Sequence, residues 1–386
     1  VGSPLGLNTI IPTTNGYKFQ NSGINFLKIE NIVNGEIDLS TIEMFISEEA
    51  HQSQKRSQLQ ENDVLFSIAG TIGDTAIVKK EHLPMNINQA IALIRPKNIL
   101  NTFFLKYSLL SIISQNTKDK QRGGAIKNIS LGDIKDLNYP LPPLEEQKRI
   151  VAKLDILFAK IDKAIALHQK NIDEANVFMA SVLNDVFVEL DTNETIELKY
   201  ITSKIGSGST PRGGQKAYKT EGITLIRSMN VHDNGFRIKG LAFIDDEQAN
   251  KLDNVTIKEN DILLNITGAS VARCCIVDKN YLPARVNQHV SIIRLDDKFI
   301  PNFLHYYLIS PSVKSDLLFS SSGGATREAI TKSMLEEFKV PKISIITQQK
   351  VVSYLDEISK KMEKIKQIQK EKMQSLKALK ASILDQ

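Results

Sequence analysis

The stretch ENDVLFSIAG, Glu61 to Gly70, decides the fold, because it returns as ENDILLNITG, Glu259 to Gly268. Around it the correspondence widens. GINFLKIENIVNG (Gly23 to Gly35) is matched by GITLIRSMNVHDNG (Gly222 to Gly235), and LPMNINQAIALIR (Leu83 to Arg95) by LPARVNQHVSIIR (Leu282 to Arg294). Further on, RGGAIKNI (Arg122 to Ile129) is echoed by SGGATREAI (Ser322 to Ile330), and QKRIVAKLD (Gln147 to Asp155) by QQKVVSYLD (Gln348 to Asp356). Solenoid units run to roughly 20–50 residues, far shorter than this spacing. The repeat is therefore a duplicated domain with a duplicated connector. Two similar halves suit a ligand with two similar halves, and duplex DNA is the leading candidate.

Each half reads as mixed. Short strand-like runs at Phe26–Ile29, Val64–Ile68, Ala76–Val78 and Ile91–Ile94 have counterparts at Leu225–Arg227, Ile262–Ile266, Cys275–Val277 and Val290–Ile293. Gly, Asn and Asp clusters separate them. A helix follows each set, over Thr102–Ser114 and Pro301–Leu318. The expected fold class is α+β: two similar mixed α/β domains, 1–143 and 191–342, and two long helices, 144–190 and 343–386, packed as an antiparallel coiled coil with a pseudo-twofold internal repeat.

The long helices announce themselves by their entries. Pro140, Pro142 and Pro143 close the first domain and Pro341 the second. Proline suits a first helical turn and little after it, so helices begin near Leu144 and Ile345. In the first, near-apolar residues fall at 150, 154, 157, 161, 165, 168, 172, 175, 179, 182 and 186. That is a heptad seam with one stutter, at Ile161–Ile165. In the second, Val351, Leu355, Ile358, Met362, Ile365, Met373, Leu376 and Ile383 form a similar seam. His168 and Gln369 are the polar interruptions at matching places, where such residues usually set register. Leu154, Ile161, His168, Leu355, Met362 and Gln369 are the expected helix-pair interface.

Composition narrows the functions. At 386 residues the chain has room for two or three domains. No apolar run approaches the roughly 20 residues of a membrane helix, and no signal-peptide pattern is present. The first residues read as the middle of something, so a short N-terminal piece is expected ahead of them. Cys274 and Cys275 are adjacent, which suits neither a disulfide nor a zinc site; strand cysteines in a reducing cytoplasm are the expectation. The net charge is only +5, so any DNA contact must come from placed residues or from a partner with more positive surface. There is no GxxxxGK[ST] loop, no HExxH and no Asn-Pro-Pro-aromatic motif. GSGSTPRGG (Gly206 to Gly214) lacks nucleotide-fingerprint spacing. The END carboxylates Glu61/Asp63 and Glu259/Asp261 read as turn caps before strands rather than metal ligands. The expectation is a non-enzyme.

What recurs instead is amide and basic side chains in loops. Asn88 and Gln89 match Asn287 and Gln288; Lys28 and Asn31 match Arg227 and Asn230; Arg122 and Lys127 flank one Gly-Gly, and Arg327 follows the other. Such side chains reach base edges, while glycine lets backbone approach phosphate. Asn-Gln before a strand serves equally as a backbone cap, and both readings stand. The second domain holds seven arginines (Arg212, Arg227, Arg237, Arg273, Arg285, Arg294, Arg327) and the first three (Arg56, Arg95, Arg122). Arg212 and Arg327, in glycine-rich loops, are the best contact candidates. Arg294, at a strand end, is the structural one. Arginine favours guanine, so the second half-site is expected to be richer in it.

Two variable domains, each followed by an entry of the PLPPLEEQKRIVAKLD type (Pro140 to Asp155), resemble the specificity subunit of type I restriction–modification systems. The second entry, PKISIITQQKVVSYLD (Pro341 to Asp356), is a weaker match. GSGSTP (Gly206 to Pro211), NITGAS (Asn265 to Ser270), VNQH (Val286 to His289) and GGATREAI (Gly323 to Ile330) also look like that family's recognition domains. The first domain departs at its start and in having AIKNI for ATREAI. The resemblance implies that each domain reads half of a split DNA sequence. It implies that the helices space the domains and dock two modification subunits carrying S-adenosylmethionine, and that motor-nuclease subunits using ATP and Mg join to cleave. No cofactor would sit in this chain. A solitary recognition subunit of another modification or defence enzyme, and a coiled-coil scaffold that binds protein, are the rival readings.

Overall fold

The computed structural model describes residues 16–384 except 71, 121–133, 135–139, 191–193, 212 and 322–328; for 112–120 and 320–321 it gives backbone alone. The chain divides into two compact units, residues 1–169 with 370–386 and residues 170–369. Each long helix contributes to both.

In the second unit, strand Ile262–Asn265 lies inside a four-stranded antiparallel sheet ordered Thr202–Ser207, Val290–Leu295, Ile262–Asn265, Cys274–Ile276. Its ILLN run is apolar on both sides because both faces are covered. Ile262 and Leu264 pack with Phe303, Leu304 and Leu308 of the following helix. Leu263 packs against a second sheet through Leu225, Ile226 and Val286. That second sheet has Ile223–Ile226 at its centre, antiparallel to Ala242–Ile244 and parallel to Ala284–Val286. The first unit repeats the plan. Val64 and Phe66 face Leu105 and Leu109 of the helix Thr102–Lys120, while Leu65 faces Leu27, Met85 and Ile87. Alternate side chains along a strand point to opposite faces, so a fully apolar strand marks a sheet covered on both sides.

The expected strands are found, displaced by one or two residues at their ends. Met85–Ile87 and Ala284–Val286 are additional strands that pattern alone did not mark. The helix expected over Pro301–Leu318 is two helices, Pro301–Ile309 and Pro311–Ser321. Pro311 disfavours the helical conformation in the residue before it, and Ser310 is extended at φ −62°, ψ 143°. Cys274 and Cys275 are free and buried on opposite faces of their strand, and burial pushes the Cys275 thiol up to about 12. Among the described residues no group of three or more His, Cys, Asp or Glu could hold a metal ion, and no helix is long and apolar enough to cross a membrane.

The END turns cap and clamp. Asn62 and Asn260 adopt left-handed backbone at φ 71° and 68°. Asp63 then accepts the Gln60 N–H, and Asp261 the Lys258 N–H, both at 2.7 Å. Each buried carboxylate also takes a two-pronged arginine from the end of a neighbouring strand. Arg95 Nε and Nη2 donate to Asp63 at 2.7 and 2.8 Å. Arg294 does the same to Asp261 at 2.7 and 2.6 Å. The structural role expected for Arg294 is thereby found, in both copies.

The long helices span Leu144–Glu189, 46 residues, and Ile345–Leu384, 40 residues. Glu145 and Glu146 stand in the first turn of one, where the helix dipole favours anions. Ser344 Oγ accepts the Thr347 N–H at the start of the other. The two run antiparallel: in the second unit Asn171 meets Gln369 and Asn176 meets Lys366. In the first, Lys380 reaches both carboxylate oxygens of Asp162 at 2.7 Å and lies 5.1 Å from the Phe158 ring centre. Every seam position read in the first helix is buried or half-buried, Leu154, Ile161 and His168 included.

In the second helix the seam departs at one place. Ile365 is exposed, and its neighbour Lys366 turns inward to donate to Asn176 Oδ1 at 3.2 Å. The seam therefore steps from Met362 to Lys366 to Gln369, repeating the Ile161–Ile165–His168 stutter of the first helix. Leu355, fully buried, lies in a cluster that holds Leu183 and Phe187 of the first long helix together with Leu198 and Phe303 of the domain, so at this end the helix pair merges with the globular core.

Each helix is fastened to its domain by the same two side chains. Gln147, fully buried, accepts the Asn101 N–H at 2.7 Å and donates to the Ile99 and Pro142 carbonyls at 3.0 and 2.8 Å. Gln348 accepts the Ile300 N–H at 2.8 Å and donates to Lys298 and Ile343 at 3.3 and 3.1 Å. Farther along, the Tyr107 hydroxyl donates to Asp155 and the Tyr306 hydroxyl to Asp356 at 2.7 Å. Burial, and then the neighbouring carboxylate, hold both phenols above their ordinary range.

A pH dependence follows for the first unit. His82 is 4% exposed, its Nδ1 accepts the Lys79 N–H at 3.0 Å, and burial lowers its pKa. An unfolded histidine takes a proton near pH 6.5, so the unfolded chain protonates first. Stability is intact above about pH 6.5 and falls as pH drops from there toward the folded value. His82→Asn, which keeps an acceptor, should flatten this dependence in urea midpoints measured from pH 7.5 to 5. An unchanged slope would assign the loss elsewhere.

Candidate nucleic-acid interface

In the second unit three separate segments meet around one groove of about 390 Å³, lined by Ser228, Met229, Thr267, Gly268, Ser270, Arg273 and His289. The floor is set by strand ends. The Ile266 N–H donates to the His289 carbonyl at 3.0 Å, holding NITGAS beside VNQH. GSGSTP is laid against the same place, the Gly208 N–H donating to the Asn287 carbonyl at 3.1 Å. Only glycine fits there, since a Cβ on residue 208 would stand 1.7 Å from the Val286 carbonyl oxygen. The end of GGATREAI joins them: Ala329 bridges Thr267, and the Ile330 N–H donates to the Ile266 carbonyl at 2.8 Å.

A polar chain ties the three segments together. The Thr210 hydroxyl donates to Gln288 Oε1, Gln288 Nε2 lies 2.9 Å from His289 Nε2, and His289 Nδ1 lies 2.5 Å from the Thr267 hydroxyl. With the amide donating to Nε2, the imidazole proton sits on Nδ1 and points at Thr267. The groove thus offers rigidly held hydroxyl, amide and imidazole groups beside an arginine, the side-chain types that read base edges. The first unit has a leaner version. The Ile68 N–H donates to the Ala90 carbonyl at 2.9 Å, and Ala90 stands where the second unit has His289.

The expected contact residues separate on this surface. Gln89 and Gln288 are exposed. Asn88 and Asn287 cap backbone: Asn88 Oδ1 accepts the Ala90 N–H at 3.2 Å, and Asn287 Oδ1 the His289 N–H at 3.1 Å. Asn31 and Asn230 are corrections, being 1% and 0% exposed. Asn31 accepts the Lys28 N–H at 2.8 Å and donates to the Thr41 carbonyl at 2.7 Å. Asn230 accepts the Arg227 N–H at 3.1 Å and donates to the Arg237 carbonyl at 2.8 Å. Both amides are spent on their own turns and face no ligand.

Lys28 is ion-paired with Glu30. Arg227 donates to the Gly240 carbonyl and lies 5.1 Å from the Tyr218 ring centre, bracing a turn. Arg122, Lys127, Arg212 and Arg327 lie outside the described residues. Thr267, Arg273 and His289 are groove residues that the pattern of amides and Gly-Gly loops did not single out. The signal was present in the repeat itself, where NITGASVAR and SIAGTIGD differ by one residue in length.

Comparison with known proteins accounts for this arrangement. A family model described as the type I restriction modification DNA specificity domain matches residues 8–176 and again 190–372. The chain belongs to that family, and its role is DNA recognition. It is 34% identical over 167 residues to the EcoBI type I restriction enzyme specificity subunit of Escherichia coli. That match covers 43% of this chain and about a third, 35%, of the relative. A longer match, 25% identical over 346 residues, is to the MjaVIII type I specificity subunit of Methanocaldococcus jannaschii, covering 84% of this chain and 78% of that protein. A solved chain from work on complex assembly and conformational transition of the type I R–M system superposes with a TM-score of 0.69. It covers 97% of this chain and 92% of its own length at 22% identity, and so bears on the fold alone.

Proposed function

We propose that this chain is the non-catalytic subunit that gives a type I restriction–modification complex its address, acting in the cytoplasm. Each domain reads one half of a split duplex target. The long helices set the separation of the halves and dock two modification subunits, which bring S-adenosylmethionine. Motor-nuclease subunits with ATP and Mg complete the complex. The observation that carries the reading is the groove of the second unit, where GSGSTP, NITGAS and VNQH converge to hold hydroxyl, amide and imidazole groups suited to base edges. The same fold is repeated in the first unit.

Two domains on a spacer of fixed length read half-sites at a fixed interval. One turn of DNA, about 10 bp centre to centre, presents both major grooves on one side. The expected target is two halves of roughly 3–5 bp around roughly 5–8 unread base pairs. Inserting one heptad in each helix, after Ile172 and after Gln369, lengthens the spacer by about 10 Å at 1.5 Å per residue. At 3.4 Å per base pair that is about three base pairs. Sequencing of methylated adenines in cells expressing the chain with its modification partner should show both half-sites intact and the gap widened by about three. Altered half-sites around an unchanged gap would refute the proposed spacing role.

A further inference from the structure

The two copies carry opposite charges at one structurally equivalent position. In the second unit the Ala272 N–H donates to the Asn265 carbonyl, and the Asn265 N–H to the Arg273 carbonyl, both at 2.8 Å. In the first unit Gly73 and Asp74 make the same pair of bonds with Ser67, at 3.1 and 2.9 Å. Ala272 and Gly73 both have positive φ, 63° and 102°. Leu263 faces Cys275 across its strand pair as Leu65 faces Ala76. Arg273 and Asp74 therefore leave the same turn at the same place.

Neither side chain is engaged by any of the described residues. The Arg273 guanidinium lines the groove and, among the described residues, has no hydrogen-bond or ion-pair partner. The Asp74 carboxylate is half-buried and likewise without a partner among the described residues. Burial alone raises its pKa. A partly desolvated charge with nothing to answer it is costly unless a ligand supplies the answer. A carboxylate near DNA is repelled by phosphates, and in the major groove its attractive partners are the exocyclic amines of cytosine and adenine. An arginine in the same place finds its best partner in O6 and N7 of guanine.

We infer that Arg273 and Asp74 are paired specificity determinants: Arg273 donates to a guanine in one half-site, and Asp74 accepts from the amine of cytosine or adenine in the other. This rests on the reading of each domain as the reader of one half-site. The test uses the full chain co-expressed with its modification partner and reads the methylated consensus by genome sequencing. Arg273→Gln should relax one guanine position in a single half-site, lowering discrimination there by about tenfold or more. Asp74→Asn should relax one cytosine or adenine position in the other. Arg273→Lys, which keeps the charge without the two-pronged donor, should not restore the guanine.

Continued methylation at the unrelaxed positions shows that the variants fold and assemble. If the consensus is unchanged in both variants, or Arg273→Lys restores full activity after an even loss across all sites, these residues are not base readers while the recognition role stands. A wild-type chain that yields no split consensus overturns the functional reading and this inference with it.

Discussion

Arg294→Ala should destabilise the second unit by about 3 kcal/mol or more, seen as a lower denaturant midpoint for its unfolding. Asp261 is fully buried, and its two oxygens are answered by Arg294 at 2.7 and 2.6 Å. Removing one partner of a buried pair leaves an uncompensated charge, which typically costs 3–5 kcal/mol. The same arginine also holds the Thr256 carbonyl at 2.9 Å. The first unit supplies an internal control. Arg95 makes the same bonds to Asp63, but its side chain is 47% exposed against 20% for Arg294. Water reaches the vacated place more easily there, so Arg95→Ala should cost roughly 1–2 kcal/mol, nearer the range of a charged hydrogen bond. Equal losses in the two units would show that exposure is not what sets the cost.

Gln348→Leu should loosen the second long helix from its domain at a cost of about 3 kcal/mol. The side chain is nearly isosteric, but three backbone groups at Lys298, Ile300 and Ile343 lose their partner. A buried polar group left unsatisfied costs about 1–3 kcal/mol, and such costs do not simply add. The first turns of the helix should then exchange amide hydrogens faster, while the strand Ile262–Asn265 keeps its protection. Tyr306 and Asp356, two turns on, should limit the opening to the helix entry. Faster exchange throughout the sheet would mean that Gln348 supports the core and is no fastener.

Much of this was legible in the residues. The repeat showed two copies of one domain, and the prolines at 140–143 and 341 located the helix starts to within a residue. The seam of the first helix was readable because apolar side chains occupy nearly all of it. The second misled at Ile365, because an apolar residue lies beside a lysine whose long stem fills the buried place. Met85–Ile87 and Ala284–Val286 were missed because each is three residues long with a buried polar residue in the middle, Asn86 or Arg285. Asn31 and Asn230 resembled base readers because a side chain that bonds its own backbone has the same composition as one that bonds DNA. Only burial separates the two. Arg273 was one of seven arginines until the fold matched its position in the second copy to that of Asp74 in the first.

The fasteners have a bearing on how such genes can change. Gln147 and Asp155 bind residues no more than 48 positions upstream, and Gln348 and Asp356 no more than 50. Each of these fasteners therefore travels on the same continuous piece of chain as the domain it secures. A genetic crossover falling just after the codon for Asp155 would exchange a whole domain together with its moorings and join helix to helix in register. The breakpoint crosses a seam shared in pattern by both copies, so the hybrid inherits two intact joints and a new combination of grooves. Selection for novel DNA addresses could then act on whole domains, without first repairing the attachment of each newcomer.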